Sequence, residues 1–121
     1  MIEEIVSFTE PVEEVAEEIY QIVQEMPSPI GGLEAFYAYL NKNLKYPPHA
    51  ARMNIQGRVF MAFVVEKDGS LTDITVMKGI GAGCDEEAIR VLQNAPKWKP
   101  GKQRGVPVRV RYSFPFVFQL N

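Results

Sequence analysis

The chain has 121 residues, 46% of them apolar, which suits one compact domain with a modest core plus a tail. Its net charge of -2 argues against a global attraction to nucleic acid, no apolar run approaches the roughly 20 residues that span a bilayer, and the start lacks the basic-then-apolar layout of a signal peptide. The single Cys84 excludes an intrachain disulfide and a cysteine-rich metal cluster.

The charges are segregated along the sequence. Eight of the fifteen acids lie in residues 1–25, which hold no Lys or Arg, whereas Lys97 to Arg111 holds six of the thirteen basic residues and no acid. Residues 1–25 read as an acidic spacer, partly extended or disordered, ahead of a domain spanning 26–121. Within that lead, Ile19, Ile22 and Val23 suit a helix while Tyr20, Ile22 and Gln24 alternate as a strand would, and the extended form is preferred. Pro27, Ser28, Pro29, Gly31 and Gly32 then break the chain before a helix in which Leu33, Phe36, Tyr37, Leu40 and Leu44 share one face. Tyr46-Pro47-Pro48 ends it, because a proline forces the preceding residue out of helical geometry.

Gly57 to Glu66 is apolar on both faces, as a central strand is. Asp68-Gly69 follows as a two-residue hairpin signal, since the tight turn that matches strand twist needs positive φ angles, and Leu71 to Lys78 is the partner strand. After a loop from Gly79 to Gly83, Asp85 is expected to cap a helix with Glu86 and Glu87 in its first turn, and Ala88, Ile89, Leu92 and Ala95 form its buried face until Pro96 stops it. The final stretch alternates strictly. Val108, Val110, Tyr112, Phe114, Phe116, Phe118 and Leu120 fall on one face, and Arg109, Arg111, Ser113, Pro115, Val117 and Gln119 on the other. Proline has no backbone donor, so Pro115 places this strand at a sheet edge, with odd-numbered residues turned to the open side. The order helix, strand, strand, helix, strand gives an α+β fold: a three-stranded antiparallel sheet with two helices packed on one face.

Several segments together, KYPPHA, GRVFMAFVVEKDGSLTDITVMKG, CDEEAIRVL and PKWKPGKQRGVPVRVRYSFPFVF, resemble the C-terminal domain of TonB, the energy transducer of Gram-negative bacteria, in its Bacteroidetes-type form. The resemblance covers about residues 26–121. It implies a periplasmic domain, anchored to the inner membrane in the full-length protein, that grips the TonB box of a TonB-dependent outer-membrane receptor and connects through an N-terminal anchor to a proton-driven inner-membrane motor complex. No such membrane helix stands in this sequence, which is therefore expected to be a cut piece or a free-standing relative. By the same resemblance the box adds as a strand beside Val108 to Leu120 with Tyr46 and Pro47 close by, while the gap that Pro115 leaves in the outer ladder directs pairing mainly to Arg109–Ser113 or to a resumption at Val117, so Val108, Arg109, Val110, Arg111, Tyr112, Ser113 and Val117 are the expected contact residues.

On physical grounds an open edge can take an extended peptide or a second copy of the chain, so a homodimer is a further expectation. Arg109 and Arg111 are candidates to select acidic or carbonyl-rich segments. Trp98 reads as a core or lid aromatic under the basic turn. Catalysis has little support: His49 is the only histidine, Cys84 reads as a small buried thiol, and the carboxylates Asp85, Glu86 and Glu87 are explained by helix capping, so no catalytic residue, metal site or cofactor is expected. Two rival readings stand beside the transducer: a TonB-like interaction domain appended to a membrane sensor, and a nucleic-acid binder using Lys97 to Arg111 with Trp98 and Tyr112, which the net acidity disfavours.

Overall fold

The computed structural model describes residues 18–120; the acidic stretch of residues 1–17 lies outside them. In chain order the elements are β1 (Ile19–Tyr20), β2 (Ser28–Pro29), α1 (Gly32–Asn43), α2 (Pro48–Arg52), β3 (Gly57–Val65), β4 (Leu71–Lys78), α3 (Cys84–Gln93), β5 (Trp98–Lys99), β6 (Gly101–Gln103) and β7 (Val106–Phe118). β3 is the central strand. It pairs antiparallel with β4 on one side and with β7 on the other, from Gly57 opposite Phe118 to Val65 opposite Val110. The fold class is the expected α+β, but the sheet also takes in short β1 and β6, a separate two-stranded ribbon joins β2 to β5, and α2 is a third helix.

β3 is central because it is apolar on both faces: Val59, Met61, Phe63 and Val65 are fully buried on the helix side, and Ala62 and Val64 are buried on the other. Phe114 and Phe116 of β7 stand opposite Met61 and Val59, so the alternation seen in the sequence puts β7's even-numbered side chains into the same core. α1 closes this layer with Phe36 and Leu40, and α3 with Cys84, Ala88, Val91 and Leu92. Val91 thus takes the fully buried place expected of Ile89, which is only partly buried.

Two local expectations are corrected and one is extended. α1 does stop before the prolines, but Pro48 also begins α2 as its first residue, where a missing N–H costs nothing because that donor has no intrahelical partner. Asp85 does not cap α3. Its carboxylate accepts the N–H groups of Ile80 (2.9 Å) and Gly81 (3.3 Å) and so braces the preceding loop, while Gly83, at φ 91°, takes the cap position. The β3–β4 hairpin is not a two-residue turn at Asp68-Gly69: Glu66 N–H donates to Ser70 C=O and Gly69 N–H to Glu66 C=O, leaving a three-residue loop with only Gly69 at positive φ (89°). Gly69 is held by its neighbour, since a Cβ there would fall 2.0 Å from the Trp98 carbonyl oxygen. The tight two-residue turn is instead Arg104-Gly105, with φ 54° and 76°, between β6 and β7.

Trp98 is in the core, 2% exposed, as the sequence favoured. Phe36, Phe63 and Tyr112 surround it edge-on, with ring centroids at 5.3, 5.4 and 5.1 Å. Such a tilted aromatic cluster adds directional packing to plain area burial.

Candidate functional site

The two edges of β7 differ. Lys102 of β6 exchanges both backbone hydrogen bonds with Glu25 (3.0 and 2.8 Å), so its polar backbone groups turn away from β7, and Gly101 and Gln103 are the ones that face Val108 and Val106. Even-numbered residues of β7 therefore address β6, and by continuation β3. Pro107 and Pro115, opposite Lys102 and Phe60, both fall at positions where no donor toward those strands is needed. Odd-numbered residues address the other edge.

On that outer edge, β1 pairs in parallel with Ile19 opposite Arg109 and Tyr20 opposite Val110. Beyond this point no strand among the described residues pairs with it. Ser113 and Val117 there turn both N–H and C=O outward, Pro115 only its C=O, and Arg111, whose N–H faces the Tyr20 C=O, likewise only its C=O, so the stretch from Arg111 to Val117 is an unfinished ladder.

Beside the same stretch runs a groove of about 310 Å³, walled by Tyr37, Leu40 and Asn41 of α1, by Leu44 just past its end, by Arg58 of β3 and by Phe114 to Val117 of β7. An adjoining hollow of about 200 Å³ extends it to Tyr46, Phe118 and Gln119. Tyr37 is half exposed with its ring 5.9 Å from Phe114, and Leu33 is likewise half exposed, so the apolar stripe on α1 is wider than the core fills. That excess width was the sequence signal for the groove, and a reading of the strand alone misses it.

The expected contact residues separate accordingly. Arg111, Ser113 and Val117 belong to the outer edge. Val108, Val110 and Tyr112 turn their backbone to β6 and β3, Val110 is fully buried, and Tyr112 packs between Trp98 and Phe63. Tyr46 does reach the end of β7, its ring edge-on to Phe118 at 5.6 Å and its hydroxyl donating to Ile55 C=O, whereas Pro47 caps α2 and sits against Gly83.

The two arginines are already engaged. Arg109 holds Glu66 through Nε (2.8 Å) and Nη2 (3.2 Å), and Arg111 holds Asp73 at 2.9 Å, both across the helix-free face of the sheet. Partial burial by itself raises the Glu66 pKa, but the hydrogen bonds from Arg109 and Thr72 outweigh it and hold the carboxyl below its ordinary value. Arg109 is thus compensated by Glu66 within the chain itself.

Catalytic chemistry finds no footing among the described residues. Cys84 is fully buried, and that burial, with Asp85 and Glu86 nearby, pushes its thiol pKa up, away from a reactive thiolate. His49 stands exposed on α2. No group of three or more His, Cys, Asp or Glu is placed to hold a metal ion, and no helix is long and apolar enough to cross a membrane, among the described residues.

Comparison with solved structures finds the same fold. An NMR structure of the Helicobacter pylori TonB C-terminal domain superposes with a TM-score of 0.56 at 24% identity, covering 72% of this chain and 91% of that one. A longer form of the same domain gives 0.54 at 22% identity, covering 74% and 80%. The Pseudomonas aeruginosa TonB C-terminal domain gives 0.50 at 25% identity, covering 64% and 78%. Comparison with curated proteins yields no significant match. The family described as the C-terminal part of the Gram-negative bacterial TonB protein matches residues 42–120, well over half of the sequence, and the chain therefore belongs to the TonB C-terminal domain family, whose members are interaction domains and not enzymes.

Proposed function

We propose that this domain binds the TonB box of outer-membrane receptors, a short extended segment, by strand addition along Arg111 to Val117. In this reading it is the periplasmic end of a transducer that couples inner-membrane proton-motive energy to active transport. The observation that carries the reading is the coincidence of an unpaired backbone edge with an apolar groove beside the same residues. Each backbone bond is worth only about 0.5–1.5 kcal/mol net, while ordering the peptide costs about 1–2 kcal/mol per residue, so pairing alone does not hold a ligand. A buried aliphatic side chain adds about 1.5–3 kcal/mol, which is what the groove supplies to alternate residues of a docked strand. Connection to the motor complex and membrane anchor runs, in this proposal, through sequence N-terminal to the domain.

Titration of the isotope-labelled chain with peptides from the periplasmic N-termini of TonB-dependent receptors tests the proposal. Amide shifts should concentrate on residues 111–117 and on α1 from Tyr37 to Leu44. Saturable binding that leaves both untouched rejects it. Pairing of the edge with a second copy would appear as concentration-dependent dimerisation that the peptide reverses. The basic hairpin is tested by salt-dependent retention on single-stranded DNA; Trp98, buried in the core, is not available to it as a stacking platform.

A further inference from the structure

The binding edge is bounded by the chain's own lead segment. β1 is only two residues long, but it is held in place from downstream. Gln24 donates its backbone N–H to Gln103 Oε1 (2.9 Å) and accepts the Arg104 N–H on its own Oε1 (2.6 Å), Glu25 and Lys102 exchange two backbone bonds, and Val23 is buried. Four hydrogen bonds thus tether a strand that lies on the same edge of β7 that an incoming peptide would use. Tethering gives β1 an effective concentration no free peptide matches. After Tyr20 the chain leaves the sheet, with Ile22 82% exposed, before it returns to β6. The departing segment stands at the point where the vacant ladder begins.

We infer that β1 is an end stop: Tyr20 closes the edge from the Arg109 C=O to the Arg111 N–H, so a docked peptide pairs from the Arg111 C=O onward and its useful length is set by the chain itself. At about 3.3 Å per residue the vacant stretch accepts about seven residues. The inference rests on the strand-addition reading and adds to it a limit on the ligand's length and register. Tyr20 is the positioning residue, because with this register its N–H and C=O both turn to β7.

The experiment compares the full chain with its Tyr20→Pro variant, which removes the donor from β1, and with Tyr20→Phe, which keeps it. Amide hydrogen exchange, without any peptide, should show Arg111, whose N–H faces the Tyr20 C=O, protected in the wild type and in Tyr20→Phe but fast in Tyr20→Pro, where β1 is released, while Ser113 and Val117 are fast in all three. Receptor-derived peptides lengthened stepwise past about seven residues should gain no affinity for the wild type, and should gain about three- to tenfold for Tyr20→Pro, the equivalent of one or two further backbone bonds. Equal gains in both, or an Arg111 amide unaffected by Tyr20→Pro, overturn the end stop while leaving strand addition intact. Absence of any edge binding in every variant takes strand addition down and the end stop with it.

Discussion

The two halves of β7 share one alternating pattern and differ in what their outer edge meets. In the first half β6 pairs with one edge at Val106–Val108 and β1 clasps the other at Arg109–Val110; from Arg111 to Phe118 the strand is paired only with β3. Its inner side chains meet the core from Tyr112 to Phe118, whereas Val106 at the hairpin end is exposed. The difference teaches that backbone parity separates the two edges: the even-numbered backbone of β7 builds the sheet with β6 and β3, and past Tyr20 the odd-numbered backbone meets no strand among the described residues. A substitution should therefore fall into one class or the other according to which edge or face it touches.

The largest expected effect belongs to the core beneath both halves. Trp98→Ala removes the centre of the cluster formed by Phe36, Phe63 and Tyr112, and loss of a fully buried aromatic of this size should cost about 3–5 kcal/mol of unfolding free energy. Denaturant unfolding checks it; a loss below about 1 kcal/mol would mean the cluster is not the centre of the core. The open half should behave in the opposite way. Tyr37→Ala trims a half-exposed wall of the groove, so stability should change by less than about 1 kcal/mol while affinity for a receptor peptide falls about five- to tenfold. Calorimetric titration beside thermal unfolding separates the two, and a stability loss without an affinity loss would move Tyr37 into the core class.

How much of this division was legible beforehand depends on how far apart in sequence its parts lie. The β7 alternation and the meaning of Pro115 are local properties, and both are found as read: even-numbered side chains inside, the proline where no inward donor is needed. The centrality of β3 followed from its two apolar faces for the same reason. The turns were harder. Asp68-Gly69 has the local chemistry of a tight turn, but the contact with Trp98 shapes that loop, and the tight turn went to Arg104-Gly105, where a non-glycine residue holds positive φ. The engagement of Arg109 with Glu66, 43 positions away, and the tilt of α1 that leaves Tyr37 beside Phe114 are products of packing. No window of sequence contains both partners.

A smaller effect should sharpen the comparison from within the open half. Pro115→Val supplies the one donor the outer ladder lacks, while the pairing with β3 needs none at that position. Peptide affinity should rise about three- to fivefold, or self-association should increase, with the unfolding midpoint nearly unchanged. Unchanged peptide binding and unchanged sedimentation together would show that the outer edge is not the edge in use.

The smallest effect concerns how the clasped half is tied to the β3–β4 hairpin. Glu66 receives Arg109 and Thr72, and its carboxyl pKa in the folded chain lies below the ordinary 4.5, so the charged form is favoured by folding. A depressed carboxylate contributes stability that is fully present above its unfolded pKa and is lost as pH falls through the folded one. Wild type and Glu66→Gln should accordingly differ in unfolding midpoint at neutral pH, and the gap should close as pH drops below about 4.5. Glu87 and Asp68 are depressed as well, but both are present in each protein, so the difference between the two curves isolates Glu66. Peptide affinity measured at neutral pH should not follow that gap, because Arg109 lies on the covered side of the boundary at Tyr20 and its guanidinium faces the hairpin. An affinity loss in Glu66→Gln as large as that of Tyr37→Ala would show instead that the freed Arg109 reaches the ligand, and the two halves of β7 would then have to be treated as one site.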